Sequence, residues 1–141
     1  MTALPPLALH HTAVVVGDLD DAVARYHALG FGPVERFDVP DQGIRAAVFP
    51  AGDGYLELIQ PTDPDGQIAR FHAKRGDGLH HVAYRVPDLQ ATLDRLAAAG
   101  VRLIDPTPRP GLHGWRIAFL HPESCAGVLT ELVEEPGGWQ G

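Results

Sequence analysis

The sequence predicts an α+β protein: two tandem βαβββ modules whose strands pair into one curved, mostly antiparallel sheet. Two observations carry this. Shifting the 141-residue chain by 70 places Leu9-His10-His11 on Leu79-His80-His81, Ala13 on Ala83, Val16 on Val86 and Asp18-Leu19 on Asp88-Leu89. Arg25, Ala28 and Gly30 fall on Arg95, Ala98 and Gly100, so 10 of the 22 positions from 9 to 30 are identical without a gap. Self-similarity of that kind marks a duplicated supersecondary unit. The second observation is that hydrophobic periodicity changes in the same order in both copies, from strand to helix to three more strands.

Each element has a local reason. "LHHTAVVV" and "LHHVAYRV" are short and rich in strand-forming residues. Asp18 and Asp88 suit helix N-caps, because a short carboxylate accepts from N–H groups of the first turn. Leu19, Val23, Tyr26 and Leu29 recur at helical spacing, as do Leu89, Leu93 and Leu96. Gly30 and Gly100 stand where a left-handed residue stops a helix. Strand-like segments follow at about 34–39, 44–49 and 55–59, and again at about 102–104, 116–120 and 128–133. The modules span about 9–60 and 79–134 within a single domain, 1–141. The linker 61–78 is rich in Pro, Gly and Asp and contains a short amphipathic piece, "QIARFHAKRG". The tail "EPGGWQG" is expected to fray.

Composition narrows the function classes. A net charge of −7 argues against a nucleic-acid partner, since that affinity rests on Lys and Arg facing phosphates. No apolar run is long enough to span a bilayer, and "MTALPPLA" lacks a secretion signal's basic start, so a cytoplasmic location without a membrane partner is expected. Cys125 is the single cysteine, which excludes intrachain disulfides and thiolate-cluster metal sites, and it reads as a small buried hydrophobe.

The eight histidines require placing. Side chains alternate along a strand, so His11, Ala13 and Val15 share one face while His10, Thr12, Val14 and Val16 share the other. The same division separates His81, Ala83 and Arg85 from His80, Val82, Tyr84 and Val86. The valine-rich faces should pack on helices and leave His11 and His81 toward a cavity. The last strand of each half, "YLELI" and "LTELV", places Glu57 and Glu131 at equivalent positions under a shift of 74. A carboxylate among strand leucines is costly unless it is paired or bound to metal. His11, Glu57, His81 and Glu131 therefore form a candidate metal set. Two imidazoles and two carboxylates suit one divalent ion, whether cobalt, zinc, nickel, manganese or iron. His27, His72, His113 and His121 are not at matched positions, although His113 lies in a glycine-rich loop.

With these features the chain resembles the vicinal oxygen chelate superfamily, which includes glyoxalase I, bleomycin-resistance proteins and extradiol dioxygenases. "PDQGI" (40–44), "QIARFHAKRGDGLHHVA" (67–83) and "HGWRIAFLHPESCAGVLTELVE" (113–134) are similar to stretches of methylmalonyl-CoA epimerases. The resemblance covers about 9–134. It implies a glyoxalase-like fold around a metal-binding cavity, with His11, Glu57, His81 and Glu131 as ligands. It also implies an isomerase acting on an acyl-CoA through an enolate, and a homodimer. Glu131 is then one catalytic base, and Glu57, His113 or a water at the metal is the other. Arg116, taken as the repeat equivalent of Ala46, and Arg85 are candidates with His113 for holding substrate. Two departures stand out. Ala46 occupies the place where some epimerases carry a second catalytic glutamate, and Glu123 follows "HP" where many relatives have lysine. The competing readings are a glyoxalase I-like isomerase or lyase, an extradiol dioxygenase, and a metal-free drug-binding resistance protein.

Overall fold

The computed structural model describes residues 7–136. They fall into two compact units, 11–80 and 7–10 with 81–136, whose boundaries lie inside the first and fifth strands. The residues of the expected frayed tail beyond 136 lie outside the described ones.

Unit 11–80 contains most of β1 (Ala8–Val15), then α1 (Leu19–Ala28), β2 (Glu35–Val39), β3 (Ile44–Ala51), β4 (Gly54–Pro61) and α2 (Gln67–Arg75). Its strand order is β2-β3-β4-β1, antiparallel except for the parallel pair β1–β4. The other unit contains most of β5 (Gly78–Arg85), then α3 (Leu89–Ala98), β6 (Arg109–Pro110), β7 (Arg116–Leu120) and β8 (Thr130–Glu134). Its order is β5-β8-β7-β6, again with one parallel pair, β5–β8. The duplicated βαβββ pattern is present, with one correction. The segment near 102–104 makes only a single bridge, Leu103 to Leu120, and the paired strand sits later, at Arg109–Pro110. Prolines at 106, 108 and 110 remove the N–H donors a longer ladder needs.

The helices begin as the sequence requires. Asp18 accepts from Asp21 N–H at 3.0 Å and Asp88 from Ala91 N–H at 3.1 Å. A second acceptor, also duplicated, comes from the last strand of each module. Leu19 N–H donates to Gln60 Oε1 and Leu89 N–H to Glu134 Oε1, both at 2.8 Å. Gly30 and Gly100 follow the helices at φ 105° and 89°. Asp88→Ala should lower unfolding stability by about 1 kcal/mol, read from the urea midpoint, because it removes a cap and leaves a first-turn donor unmet.

Packing follows the alternation. Val14, Val16, Ala47, Phe49, Leu56 and Leu58 meet Leu19, Ala22 and Val23 of α1. Val86, Ala118, Leu120 and Leu132 meet Leu89 and Leu93 of α3, with half-buried Cys125 against them. The opposite face of the first unit is covered too, which alternation alone did not indicate. Ala13, Val15, Ile44 and Ile59 lie under Ile68 and Phe71 of α2. Around α2, Asp77 accepts from Gly17 N–H at 2.9 Å and lies 2.7 Å from His72 Nε2. The hydrogen bond from His72 holds the Asp77 carboxyl below its ordinary value, with smaller help from Gly17. Gly17 is closely approached here: a Cβ there would lie 2.9 Å from the His72 ring, which would have to shift. Among the described residues, no helix is long and apolar enough to cross a membrane.

Candidate metal centre

The β1–β4 register places Ala13 opposite Glu57, and the β5–β8 register places Ala83 opposite Glu131. A histidine two residues before each alanine shares its face. Each imidazole therefore reaches diagonally past a methyl group to a carboxylate on the neighbouring strand. His11 Nε2 lies 3.2 Å from Glu57 Oε2, and His81 Nε2 lies 2.8 Å from Glu131 Oε2. Both alanines are fully buried, and all four polar side chains are nearly so, Glu57 at 7% exposure and Glu131 at 4%. Larger residues at 13 and 83 would fill the space through which each pair meets. The adjacent leucines point the other way, Leu56 and Leu58 into the α1 core and Leu132 into the α3 core. Opposite Glu131 on its other side is Phe119, whose ring meets His81 edge-on at 5.2 Å.

These pairs fit a divalent ion. Each offers one imidazole nitrogen and one carboxylate oxygen, both buried, the donor types that bind zinc-like ions. Burying a carboxylate without a charged or hydrogen-bonding neighbour is costly, and both glutamates have a ring nitrogen close by.

The arginines part company with expectation. In the ladders, Val48 faces Glu57 and Phe119 faces Glu131, so Ala46 corresponds to Ile117 and Arg116 corresponds to Arg45. Arg116 is thus not the equivalent of Ala46. A shift of one residue reverses a strand's faces. Arg116 lies on the face opposite to Glu131, half-exposed, with its guanidinium 3.1 Å from Glu134, the residue that also receives Leu89 N–H. Arg85 does share the face of His81 and is buried, but it is already engaged. It donates to Glu135 at 3.2 Å and to the Leu9 carbonyl at 3.4 Å. Glu135 also lies 2.9 Å from His10 Nε2, and His10 is buried edge-on against Trp115 at 4.4 Å. This Arg85–Glu135–His10 group was not anticipated. Its only sequence signal was an acidic residue directly after a strand. His113 is exposed at φ 56°, 5.3 Å from the Trp115 ring. Ala46 is fully buried opposite Ile59, on the face of Glu57. Glu123 is exposed and paired with Arg102 at 2.6 Å.

Duplicated βαβββ modules with a buried His–Glu pair in each define a glyoxalase-type protein. Residues 10–119 match the family model described as Glyoxalase/Bleomycin resistance protein/Dioxygenase superfamily, and the chain belongs to that superfamily. Within it, the chain is 38% identical over 130 residues to the uncharacterized protein YqjC of Bacillus subtilis, covering 92% of this chain and 93% of that one. It is 37% identical over 129 residues to the ethylmalonyl-CoA/methylmalonyl-CoA epimerase of Cereibacter sphaeroides, covering 89% and 96%. A methylmalonyl-CoA epimerase of Streptomyces coelicolor, solved as a variant with 2-nitronate-propionyl-CoA, superposes with a TM-score of 0.88 at 35% identity, covering 99% of this chain and 100% of that one. The α+β glyoxalase-like fold is therefore established, and the chain is an enzyme of the epimerase-like isomerase kind.

Proposed function

We propose that this chain interconverts the (R) and (S) forms of methylmalonyl-CoA, or of a close 2-substituted malonyl-CoA, using one divalent metal ion held jointly by His11, Glu57, His81 and Glu131. The observation that carries the reading is the duplicated pair. Two buried His–Glu contacts occupy equivalent diagonals of the two modules. The named epimerases among the relatives support the substrate class.

Epimerisation removes a proton from the carbon beside a thioester and returns it to the other face. The barrier is the charge of the enolate, and a bound divalent ion supplies the Lewis acidity that lowers it. The chain's own groups do the rest. Glu131 takes the proton from one face, held in place by His81. A base must stand at each face. Ala46 has no proton chemistry, so the second role falls to Glu57, a buried carboxylate on the same sheet face. Leu56, Leu58 and Leu132 turn their side chains into the cores behind the carboxylates and keep water from reaching the glutamates through the sheet. The same reading takes both units as one functional domain of a cytoplasmic homodimer, with no nucleic-acid or membrane partner.

The test follows a single stereoisomer of methylmalonyl-CoA incubated with cobalt- or zinc-loaded protein. Its conversion to the other isomer, halted by chelator and restored by added metal, is the expected result. Metal-loaded protein that converts none of several 2-substituted malonyl-CoA esters would contradict the reading.

A further inference from the structure

Charge is unevenly distributed on this acidic chain. Among the described residues, seven of the chain's 11 lysines and arginines face a carboxylate: Arg25, Arg36, Arg45, Arg85, Arg102, Arg109 and Arg116. Among the described residues, three of the remaining four, Arg70, Lys74 and Arg75, lie on the nine-residue helix α2, which contains no acidic residue. All three are exposed. Arg70 and Lys74 are four apart and so share a stripe, where like charges repel. Arg75 lies beside that stripe, its guanidinium held 5.4 Å over the Phe71 ring. The helix dipole favours cations in the last turn, which accounts for Lys74 and Arg75 but not for Arg70 at mid-helix. Arg70 is kept in place by a bond to the Asp65 carbonyl at 2.6 Å, which uses only part of its donor fork.

The underside of this helix is equally specific. Ile68 and Phe71 pack on Ala13, Val15 and Ile59, the same face of the first unit that carries His11 and Glu57. A cationic helix is thus mounted on the sheet face next to a candidate catalytic pair. A CoA thioester has its reacting acyl group at one end of a flexible arm and its charged phosphates at the other.

From this we infer that α2 is a phosphate-binding element, and that Arg70, Lys74 and Arg75 receive the nucleotide phosphates of an acyl-CoA. This deepens the acyl-CoA reading above and rests on it. The helix then acts on affinity for the CoA portion, remote from the proton transfer.

The experiment compares wild type, Lys74→Glu and Arg70→Glu/Lys74→Glu, with Lys74→Arg as the conservative control. Binding of free coenzyme A and of pantetheine, which lacks the nucleotide phosphates, is measured by calorimetry at two salt concentrations. Circular dichroism confirms that the variants fold. Wild type should bind coenzyme A more tightly than pantetheine, with affinity falling as salt screens the contact. Lys74→Glu should weaken coenzyme A binding about tenfold, the scale of a charge-assisted bond, and the double variant more. Lys74→Arg should stay close to wild type. Equal affinity of wild type for the two probes, or equal weakening of both in the variants, would overturn the inference. Because these measurements need no turnover, a protein that binds coenzyme A through α2 but fails to epimerise would refute the proposed reaction and leave the helix assignment standing. Where epimerisation is seen, the same variants should raise KM for the CoA ester far more than they lower kcat.

Discussion

His81→Ala should weaken divalent metal binding by more than about 100-fold, a loss beyond that usual for residues that only orient ligands. It should remove epimerase activity with it. His81 is buried, its Nε2 lies 2.8 Å from Glu131, and Phe119 fixes the ring edge-on. No neighbouring side chain on the strand can substitute, because Val82 turns to the other face and Ala83 is a methyl group. Titration of metal-free protein with cobalt or zinc checks this. His121→Ala, which removes the acceptor for Glu123 N–H, should leave metal affinity unchanged. Wild-type affinity in His81→Ala would remove the site.

Glu131→Gln should separate binding from chemistry. Glutamine keeps an oxygen that can ligate but cannot accept a proton. Turnover should fall about 10²- to 10⁴-fold, the usual worth of a general base, with a smaller loss of metal affinity. The readout is deuterium entering the α-position of the substrate in D₂O, measured by mass spectrometry with saturating metal. Exchange at the wild-type rate would assign the base elsewhere, with Glu57→Gln as the next variant to test.

Much of this was legible because duplication repeats its own evidence. One "LHH" strand says little, but two at a constant offset say that His11 and His81 are equivalent, and the glutamates at a second offset complete the pattern. The N-caps were legible because capping is a local hydrogen bond between residues three apart. Arg116 was misplaced because offsets drift in the connecting loops. The offset is 70 at the first strand of each module, 71 at β3 and β7, and 74 at β4 and β8. A drift of one residue carries a side chain to the other face, whereas the drift that relates the glutamates was fixed by matching "LEL" to "TEL". Contacts between distant residues that the repeat does not match to one another were not legible. Glu135 reaches both His10 and Arg85, and nothing local in "VEEP" indicates it. The seat of α2 on Ala13 and Val15 was hidden for the same reason: strand alternation names the two faces but not which helix covers each.

The proposal on which most depends is that His11, Glu57, His81 and Glu131 are ligands of a single ion. Calorimetric titration of the metal-free wild-type chain with cobalt measures this as stoichiometry. One ion per chain is expected, with the site lost in His11→Ala as well as in His81→Ala. Two ions per chain, each abolished by only one of those substitutions, would mean that the modules bind metal separately, and would contradict the four-ligand site.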